Sequence, residues 1–495
     1  MTTTTLADTI DSSNFRKLYI AGEWVKPSTD RVLKVISPFT EEQVFQVAEA
    51  VIADVDLAVE AAYQAFESGP WPHMSAPERA TILQAFAAAL RRRADDFATA
   101  WTESTGVLAA MSNGSLEYAV SAIDRSIAQA SSFPFIEKYP AQNGCNILVH
   151  EPVGVVAAIA PWNAPLASML TKVGPALIAG CTLIMKPAPQ TPIEAYIVAE
   201  CADEAGFPPG VLNLIAAARE ASDYLVRHRY VDKVSFTGSL ETGRRVASVC
   251  ADRIARVTLE LGGKSAAIVL DDYDLEKAAK NLVDAICVLN GQNCAALTRV
   301  IVSRKRHDEL VEHLASAMQM ITIGNPYDPE IKLGPISIKS QLEKIEVYIA
   351  KGIAEGAILV TGGRRPAKLK CGYYFEPTLF ANVDNNMSIA QEEIFGPVLC
   401  VIPCDDESDA IRIANDSPFG LGGAVYTNDT NAAYRVARRF RTGTVGHNGM
   451  KASFGIAFGG FKQSGIGREG GTVGLMPYLE PKTLMLGSQP QGLDI

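Results

Sequence analysis

The sequence predicts an α/β protein with two doubly wound domains, each built on a parallel sheet. Three observations lead to this fold class. Short β-branched runs alternate with helical segments from about residue 151 onward, the alternation restarts after Gly263, and 495 residues exceed what one hydrophobic core usually supports. Strand and helix taking turns favour right-handed crossovers, which cover both faces of a parallel sheet.

The N-terminal region, before the first of these strands, is rich in helix. Apolar residues recur every three or four positions in "DVDLAVEAAYQAFESG" and in "SAPERATILQAFAAALRRRADDFATAWTEST". Asp or Ser at the start of each stretch is typical of a helix cap. These spacings predict helices packed against the sheet that follows.

The first α/β series begins with the strand "VGVVAAIA" and a helix through "SMLTKVGPALIAG". It continues with the strand "TLIMKPA", the helix "IEAYIVAECADEAG", the strand "VDKVSFTG" and the helix "SLETGRRVASVCADR". The second series contains "SAAIVLDD", "DLEKAAKNLVDAICVLN", "TRVIVS" and "RHDELVEHLASAMQMI". We expect a domain boundary near Gly262 and Gly263, with a cleft between the domains, where ligands usually bind.

Composition excludes several classes of protein. Hydrophobic residues make up 48% and charged residues 20%, as in ordinary globular proteins. The net charge of -10, without a basic block, argues against nucleic acid or an anionic membrane surface as a partner. The start "MTTTTLADTIDSSNF" lacks the pattern of a secretory signal, and the longest uncharged apolar stretch, between Lys172 and Lys186, is too short for a bilayer of roughly 30 Å. We therefore expect a cytoplasmic protein.

Cysteine and histidine usage favours free thiols and no metal site. The nine cysteines are irregularly spaced and form no C-x-x-C pair, and the six histidines form no cluster. Cys294 in "GQNCAALTRVIV" differs from the others, because small residues flank it in an expected loop between a helix and a strand. A reactive cysteine must be accessible and able to ionise, whereas most cysteines are buried and inert.

The segment "FTGSLETG" follows an expected strand and opens a helix. Gly238 and Gly243 allow close backbone approach, and Ser239 with the free amides of the helix start can bind a phosphate or another anion. The spacing is not the dinucleotide fingerprint G-x-G-x-x-G. A tight strand-to-helix turn with a capping serine explains it equally well.

Two further positions carry groups suited to catalysis. Glu260 ends an apolar run before a diglycine, where partial desolvation would raise its pKa toward that of a general base, although a helix-capping or exposed glutamate is the ordinary alternative. Asn163 lies between two prolines that can aim its amide at an oxyanion, although an Asx-turn is equally common there. Lys172 and Lys186 can face the same cleft, or belong to solvated surface.

Together these stretches resemble the aldehyde dehydrogenase family from about residue 17 to 484. The family's ordered motifs correspond here to "PWNAPL", "KPAPQTP", "FTGSLETG", "LELGGKS", "GQNCAALTR", "QEEIFGPV", "SPFGLGGAVYTND" and "FGGFKQSGIGRE". The resemblance implies two Rossmann-like domains and an NAD(P)-dependent enzyme that oxidises an aldehyde to the carboxylic acid. NAD is the expected cofactor. NADP is possible, because Pro189 stands where many NAD-dependent relatives carry a glutamate that binds the ribose hydroxyls.

The resemblance also assigns roles to residues. It implies that Cys294 is the nucleophile, that Asn163 holds the oxyanion, that Glu260 activates water, and that Lys172 and Glu469 relay protons. The positions that resemble cofactor-binding residues are Ile159, Trp162, Lys186, Gly238, Ser239, Gly243, Leu261, Glu393 and Phe395. Those that resemble substrate-pocket residues are Ala164, Thr171, Asn293 and Phe458.

The resemblance further implies the domain organisation. Residues 1–130 and 152–261 correspond to the dinucleotide-binding domain, 262–474 to the catalytic domain, and 131–151 with 475–495 to a small β oligomerisation hairpin and its partner strand. An exposed apolar β-ribbon is an aggregation hazard on a monomer, so pairing with another subunit is physically sensible. We expect a homodimer or homotetramer.

The expected substrate is a bulky aldehyde. Ala164 and Thr171 occupy positions that are aromatic in acetaldehyde-type relatives, so the pocket should be wider and suit aromatic, long-chain or terpenoid aldehydes. Three alternatives remain. A CoA-acylating dehydrogenase needs no water-activating Glu260, a cysteine hydrolase needs a histidine beside the thiol, and a non-catalytic protein needs none of Cys294, Glu260 and Asn163.

Overall fold

The computed structural model describes residues 9–450 and 453–490. In chain order its strands are β1 (Leu18–Ile20), β2 (Glu23–Val25), β3 (Val32–Ile36), β4 (Gln43–Ala48), β5 (Ile136–Tyr139), β6 (Cys145–Pro152), β7 (Val155–Ile159), β8 (Thr182–Lys186), β9 (Leu212–Leu214), β10 (Lys233–Thr237), β11 (Arg256–Glu260), β12 (Ser265–Val269), β13 (Leu297–Ser303), β14 (Ile358–Thr361), β15 (Thr378–Ala381), β16 (Val398–Cys404), β17 (Gly422–Tyr426), β18 (Thr444–His447), β19 (Gly465–Ile466) and β20 (Leu479–Leu486).

Helices precede, separate and follow these strands. They are α1 (Ile52–Glu67), α2 (Ala76–Arg92), α3 (Ala94–Thr105), α4 (Ala109–Ser132), α5 (Pro165–Ala179), α6 (Ile193–Ala205), α7 (Arg219–Arg227), α8 (Leu240–Asp252), α9 (Leu275–Cys287), α10 (His307–Gln319), α11 (Lys339–Ala354), α12 (Ser388–Gln391), α13 (Glu407–Asn415), α14 (Thr430–Ala437) and α15 (Gly471–Leu475). No helix within the described residues has both the length and the apolar character needed to cross a bilayer.

The first sheet has the strand order β19-β11-β10-β7-β8-β9-β1-β2. Its five central strands, β7 to β11, run parallel, and its edge strands run antiparallel to their neighbours. Alternate residues of β7 pack into two separate cores, since Val156 and Ala158 lie in one and Val155 and Ala157 in the other. Both faces of the sheet are therefore covered by helices, as doubly wound topology requires.

The second sheet has the strand order β14-β15-β16-β13-β12-β17-β18. All its neighbouring strands are parallel except the pair β14 and β15. Ile301 of β13 packs into one core while Val300 and Val302 pack into another, so this sheet is also covered on both faces. The predicted α/β class with two parallel sheets is confirmed.

A third, antiparallel sheet joins β5, β6 and β20 in the order β20-β6-β5. β5 and β6 form a hairpin, and β20 pairs with β6 along its whole length, from Leu479 opposite Pro152 to Leu486 opposite Cys145. Met485 on β20 is 80% exposed. The arrangement matches the predicted hairpin and partner strand, while their role in subunit association stays a prediction.

The structure differs from the sequence-based expectation in two details, one in the N-terminal helices and one in the division into domains. The long helical stretch predicted over residues 75–105 is two helices, α2 and α3, which break at Arg93 (φ −101°, ψ 25°). The guanidinium of Arg93 is drawn into hydrogen bonds with Asp96 and Glu200 at this break. β19, from the segment predicted for the second domain, joins the edge of the first sheet. The predicted domain boundaries stay predictions, and residues 1–8 and 491–495, which they include, lie outside the described residues.

Candidate active site

A cavity of about 990 Å³ lies where the carboxyl ends of β7, β8, β10 and β11 meet the second sheet. Carboxyl ends of parallel strands are the usual place for ligands in such folds. Most residues predicted for the site line this cavity: Ile159, Trp162, Asn163, Ala164, Thr171, Lys186, Gly238, Ser239, Glu260, Leu261, Asn293, Cys294, Glu393, Phe395, Phe458 and Glu469. Residues as far apart in the chain as Ile159 and Glu469 are thus brought to one space only by the fold.

Two predicted residues lie just behind the cavity wall instead. Gly243, in the first turn of α8, packs directly against the side chain of Leu261, where any Cβ would collide with it. Lys172 on α5 is fully buried, with its ammonium group directed at Glu469. Gly243 therefore supports a residue of the wall, and Lys172 touches the cavity only through its partner.

Cys294 lies on the short loop between α9 and β13, at the wall of the cavity. Its thiol is half-buried and makes a weak, long contact of 3.9 Å with Oδ1 of Asn293. Burial, together with the nearby carboxyl groups of Glu393 and Glu260, raises the pKa of Cys294 to about 12, although the amides of Ala295 and Cys294 oppose the shift. The resting thiol is therefore neutral at physiological pH.

The loop that leads to Cys294 is held by two buried polar side chains. Asn290 adopts a left-handed conformation (φ 56°) and donates to the carbonyl oxygens of Gly106 and Pro335 at 2.9 Å each, while its Oδ1 accepts from the amide of Gly334. Gln292 exchanges hydrogen bonds with Ser337 in the same way. Sequence reasoning missed both residues, because nothing in a single sequence marks an amide side chain as a loop anchor.

Asn163 comes between the end of β7 and the start of α5. Its backbone carbonyl accepts from Nε1 of Trp101 at 3.0 Å, and its side-chain Nδ2 donates to the carbonyl oxygen of Gln292 at 2.8 Å. An amide nitrogen carries two hydrogens, so one N–H is fixed on the loop of Cys294 and the second remains for a ligand. The arrangement preorganises a donor beside the thiol.

Glu260 ends β11 and lines the cavity with a buried carboxylate that has no hydrogen-bond partner within residues 9–450 and 453–490. Burial raises the pKa of Glu260 well above its ordinary value, and the Glu469 carboxylate adds to the shift, while Lys172 and Arg468 oppose it. Gly459 (φ 150°) lies against the carboxylate and leaves it the space that a side chain would occupy. This direction agrees with the raised pKa expected from the sequence, and a raised pKa is what a general base needs.

Lys172 and Glu469 form a buried ion pair beside Glu260. The Lys172 ammonium also donates to Oγ1 of Thr237 at 2.7 Å, and Oγ1 of Thr171 donates to Glu469 at 3.2 Å. Backbone hydrogen bonds in both directions tie Glu469 to Phe458 at 2.7 and 2.8 Å. The side-chain contacts form a hydrogen-bonded proton chain that lies near Glu260 but makes no hydrogen bond to its carboxylate.

One end of the cavity is suited to phosphate and hydroxyl groups. Ser239 caps α8 by accepting from the amide of Thr242 at 3.3 Å, so the first amides of this 13-residue helix face the cavity. Lys186 ends β8 and is 7% exposed, and burial lowers its pKa to about 8. A cation and a helix N-terminus at one sheet edge can hold an anionic dinucleotide.

Glu393 and Phe395 approach the cavity from the second sheet's side of the molecule. The Glu393 carboxylate accepts from the amide of Gly263 at 3.1 Å and lies against Gly262, where a Cβ would displace it. Burial raises the pKa of Glu393 to about 6. Phe395, in a left-handed conformation (φ 61°), packs edge-on against Trp162 with ring centroids 5.4 Å apart. Strain of this kind is typical of functional sites.

The remaining wall is apolar. Ala164 and Thr171 are the small residues predicted there, and the aromatic rings of Tyr118, Phe454 and Phe458 form a contiguous series, with centroids 6.0 and 4.7 Å apart. Tyr118 and Phe454 were not predicted, since α4 and the loop before β19 show no local signal for the site. Thr171 is also committed to Glu469, so it serves the proton chain as well as the wall.

Comparisons with known proteins agree over nearly the whole chain. The model of the "Aldehyde dehydrogenase family" matches residues 24–484. A 3-succinoylsemialdehyde-pyridine dehydrogenase of a Pseudomonas species is 42% identical, covering 95% of this chain and 98% of that protein. A geranial dehydrogenase of Castellaniella defragrans is 39% identical, with coverage of 95% and 98%.

Two solved structures have the same architecture. An aldehyde dehydrogenase of Mycobacterium tuberculosis complexed with NAD+ is 42% identical, with a TM-score of 0.93 and coverage of 97% of this chain and 99% of that one. A cysteine-to-alanine variant of aldehyde dehydrogenase C from Pseudomonas syringae, complexed with NAD+ and octanal, is 37% identical, with a TM-score of 0.93 and coverage of 98% and 99%.

Proposed function

Because this chain belongs to the aldehyde dehydrogenase family, we propose that it oxidises a bulky apolar aldehyde to the carboxylic acid by covalent catalysis on Cys294. The observation that carries the proposal is the meeting of Cys294, Asn163 and Glu260 in one cavity of about 990 Å³. A thiol, a preorganised amide donor and an orphaned carboxylate are the groups that thioester formation and hydrolysis need.

The cavity fits NAD+ as the cofactor. The N-terminus of α8 with Ser239 would hold the pyrophosphate, Lys186 the adenosine ribose, and Glu393 the nicotinamide end. The dinucleotide supplies, when bound, the acceptor for the hydride that leaves the substrate carbon. The NAD+ complexes of both solved relatives support this assignment, and Pro189 makes NADP+ the second dinucleotide to test.

The protein residues divide the chemistry into two stages. Cys294 adds as the thiolate to the aldehyde carbon, while the free N–H of Asn163 and the backbone N–H of Cys294 stabilise the oxyanion of the thiohemiacetal. In the second stage Glu260 takes a proton from water, which attacks the thioester and releases the acid. The Glu469 carboxylate, paired with the Lys172 ammonium, then receives that proton and leaves Glu260 ready for the next cycle.

The apolar wall supports the proposed substrate class. Ala164 and Thr171 leave room in front of the rings of Tyr118, Phe454 and Phe458, and such a surface gains free energy by burying a long or ring-containing chain. Two relatives, the geranial dehydrogenase and the aldehyde dehydrogenase C variant with octanal bound, support a bulky aldehyde.

The test is a set of initial rates on acetaldehyde, octanal, benzaldehyde and geranial with NAD+ and with NADP+. We expect the highest kcat/KM for the larger aldehydes with NAD+. Cys294→Ala should abolish turnover, whereas Glu260→Gln should retain a stoichiometric burst of reduced cofactor followed by slow release of acid. A higher kcat/KM for acetaldehyde rejects the bulky substrate, and product found as a CoA thioester when CoA is added rejects hydrolysis.

We also propose a cytoplasmic homodimer or homotetramer. The support is the antiparallel sheet of β5, β6 and β20, which carries exposed apolar side chains such as Met485 and Tyr139, at 80% and 48% exposure. Burying such a ribbon against another subunit removes an edge on which other chains could aggregate.

A further inference from the structure

Glu194 is a buried carboxyl group that the proposed chemistry does not use. It lies in the first turn of α6 and is 1% exposed. Neither of its carboxyl oxygens has a hydrogen-bond partner among the described residues. A buried carboxylate that accepts no hydrogen bond is costly for a fold, and an apolar side chain would fill the space without that cost. The group is therefore suited to a ligand that supplies the missing donors.

Glu194 lines the cavity at the corner that Lys186 occupies. Lys186, Ala188, Pro189 and Glu194 all line the cavity, and all four belong to the short stretch that runs from the end of β8 into the first turn of α6. Because Lys186 is the residue proposed to hold the adenosine ribose, Glu194 belongs to the same part of the cofactor site.

Lys186 and Glu194 have opposite charges when ionised, but they do not neutralise each other. Burial lowers the pKa of Lys186 to about 8 and raises the pKa of Glu194 to about 8, and only the backbone amide of Glu194 opposes the second shift. Neither group acts on the pKa of the other, whereas an ion pair would have favoured the charged form of both. Each therefore keeps its capacity to bind a ligand.

Glu194 is also the polar acceptor that this stretch presents to the cavity. Ala188 and Pro189 line the cavity without a side-chain donor or acceptor. A carboxylate has two oxygens and no proton to donate, so it can accept two hydrogen bonds side by side. The 2′- and 3′-hydroxyls of a ribose are two neighbouring donors. A 2′-phosphate replaces one donor with acceptor oxygens and negative charge, which a buried carboxylate repels.

We propose that Glu194 accepts hydrogen bonds from the 2′- and 3′-hydroxyls of the adenosine ribose and thereby makes the site select NAD+ over NADP+. This role rests on the proposed function, because it requires the adenosine half of a dinucleotide at this corner of the cavity. The choice between the two dinucleotides, which Pro189 leaves open, is then made by a helix residue farther along the chain.

The charge of Glu194 decides the pH of the test. With a pKa of about 8, the carboxyl group is mainly neutral at pH 7 before a ligand binds. Two hydroxyl donors stabilise the carboxylate and lower this pKa, whereas a phosphate dianion raises it. Binding is therefore compared at pH 8.5, where the carboxylate prevails. Lys186 is present in every protein compared, so its own titration affects all of them alike.

The test is calorimetric titration with NAD+ and with NADP+ in the absence of aldehyde. We expect the wild type to bind NAD+ at least roughly tenfold more tightly than NADP+, because the site pairs with a hydroxyl and repels a phosphate. Glu194→Gln keeps the size of the side chain and removes its charge. It should bind NAD+ roughly tenfold more weakly and NADP+ roughly tenfold more tightly, since hydrogen bonds to a charged acceptor are stronger and the repulsion is lost.

Glu276→Gln is the matched control for this variant. Glu276 is an exposed glutamate in the first turn of α9 and does not line the cavity, so both dissociation constants should stay at their wild-type values. A change by the same factor for both dinucleotides in Glu194→Gln is the mark of a structural role and overturns the proposal. Equal affinity of the wild type for NAD+ and NADP+ also overturns it.

A second measurement uses the wild type alone, so it does not depend on the folding of a variant. The analogue of NAD+ that lacks the adenosine 2′-hydroxyl should bind roughly tenfold more weakly than NAD+, because one hydrogen bond to a buried carboxylate is lost. An unchanged dissociation constant for this analogue rejects the proposed contact.

Turnover separates failure of this role from failure of the proposed function. At saturating NAD+, Glu194→Gln should form acid from octanal at no less than the wild-type kcat, because Glu194 belongs to the adenosine part of the site. A wild type that forms no acid rejects the proposed function itself. Normal acid formation with an unchanged preference between the dinucleotides in Glu194→Gln rejects only the role of Glu194.

Discussion

At the scale of single residues, the site is governed by burial without compensating charge. Cys294 and Glu260 both lie at the cavity wall, and no cation among the described residues pairs directly with either one. Burial therefore raises the pKa of both groups, so each favours its neutral form more strongly than the same group does in water. The thiol and the carboxyl group are held unreactive until a substrate and a cofactor change their surroundings.

The raised pKa of Cys294 predicts slow alkylation of the enzyme without cofactor. Because the pKa is about 12, the thiolate fraction increases about tenfold for each pH unit between 7 and 9, and the rate constant with iodoacetamide should increase in proportion. Quantifying the labelled Cys294 peptide by mass spectrometry checks this. The exposed Cys371 serves as the internal control, and a rate for Cys294 that is independent of pH would contradict the prediction.

The raised pKa of Glu260 predicts a gain in stability when its charge is removed. Since the folded-state pKa lies above the unfolded one, the ionised carboxylate costs stability as pH rises above the unfolded value of about 4.3. Glu260→Gln should therefore unfold at higher urea concentration than wild type, by roughly 1 kcal/mol or more at pH 8, with a smaller gain at pH 5.5.

Glu393→Gln is the control for this comparison. Its carboxylate is also buried but accepts a hydrogen bond from Gly263, which the variant weakens, so its gain should be smaller. Equal or lower stability of Glu260→Gln at both pH values would show that the native carboxylate has a partner when folded in solution.

At the scale of elements, the positions of Cys294 and Asn163 are fixed mainly by the short connections that carry them, and less by the helices and strands on either side. The loop from α9 to β13 carries Cys294, and Asn290 and Gln292 fasten it to Gly106 and Ser337, in distant parts of the chain. The turn from β7 to α5 carries Asn163 and is fastened to the same loop. The distance from thiol to amide donor is thus set by hydrogen bonds between loops on two different sheets.

Asn290→Ala should loosen this loop. The substitution removes two donated hydrogen bonds and one accepted hydrogen bond in a buried site. It also leaves an alanine in the left-handed region, which asparagine tolerates better. We expect a loss of about 2 kcal/mol or more in stability and a lower kcat. Asn290→Gly is the control, because glycine tolerates the left-handed conformation but cannot make the side-chain hydrogen bonds. A similar loss of stability in both variants assigns the effect to the hydrogen bonds. A loss in neither variant contradicts the prediction.

At the scale of the whole molecule, two mainly parallel sheets meet at one cavity, and β5, β6 and β20 form a separate, small antiparallel sheet. β20 and β5 are the outer strands of that small sheet, and unpaired outer strands invite association. The exposed Met485 on β20 lies on this surface.

Light scattering should therefore give a mass of two or four times the 53.0 kDa chain. Met485→Lys should weaken association, because it brings a charge to an apolar contact. Met320→Lys is the matched control, since Met320 is equally exposed, at 79%, but follows α10, far from β20 in the chain. A monomeric wild type, or equal dissociation in both variants, would contradict the assignment of this surface.

The sequence by itself determined the fold class and most of the site's membership. Alternation of β-branched runs with 3.6-residue periodicity is a local property, so it predicts parallel strands with crossover helices wherever it occurs. Ordered motifs likewise marked Cys294, Glu260 and Asn163, since each follows or precedes a strand whose end can be read from the sequence.

Only the tertiary structure decided which groups touch. Lys172 reaches Glu469, and Asn163 binds the carbonyl of Gln292, through contacts between residues more than one hundred positions apart. The fold also determines that the side chains of Tyr118 and Phe454 turn toward the cavity. Local pattern carries no information on such distances.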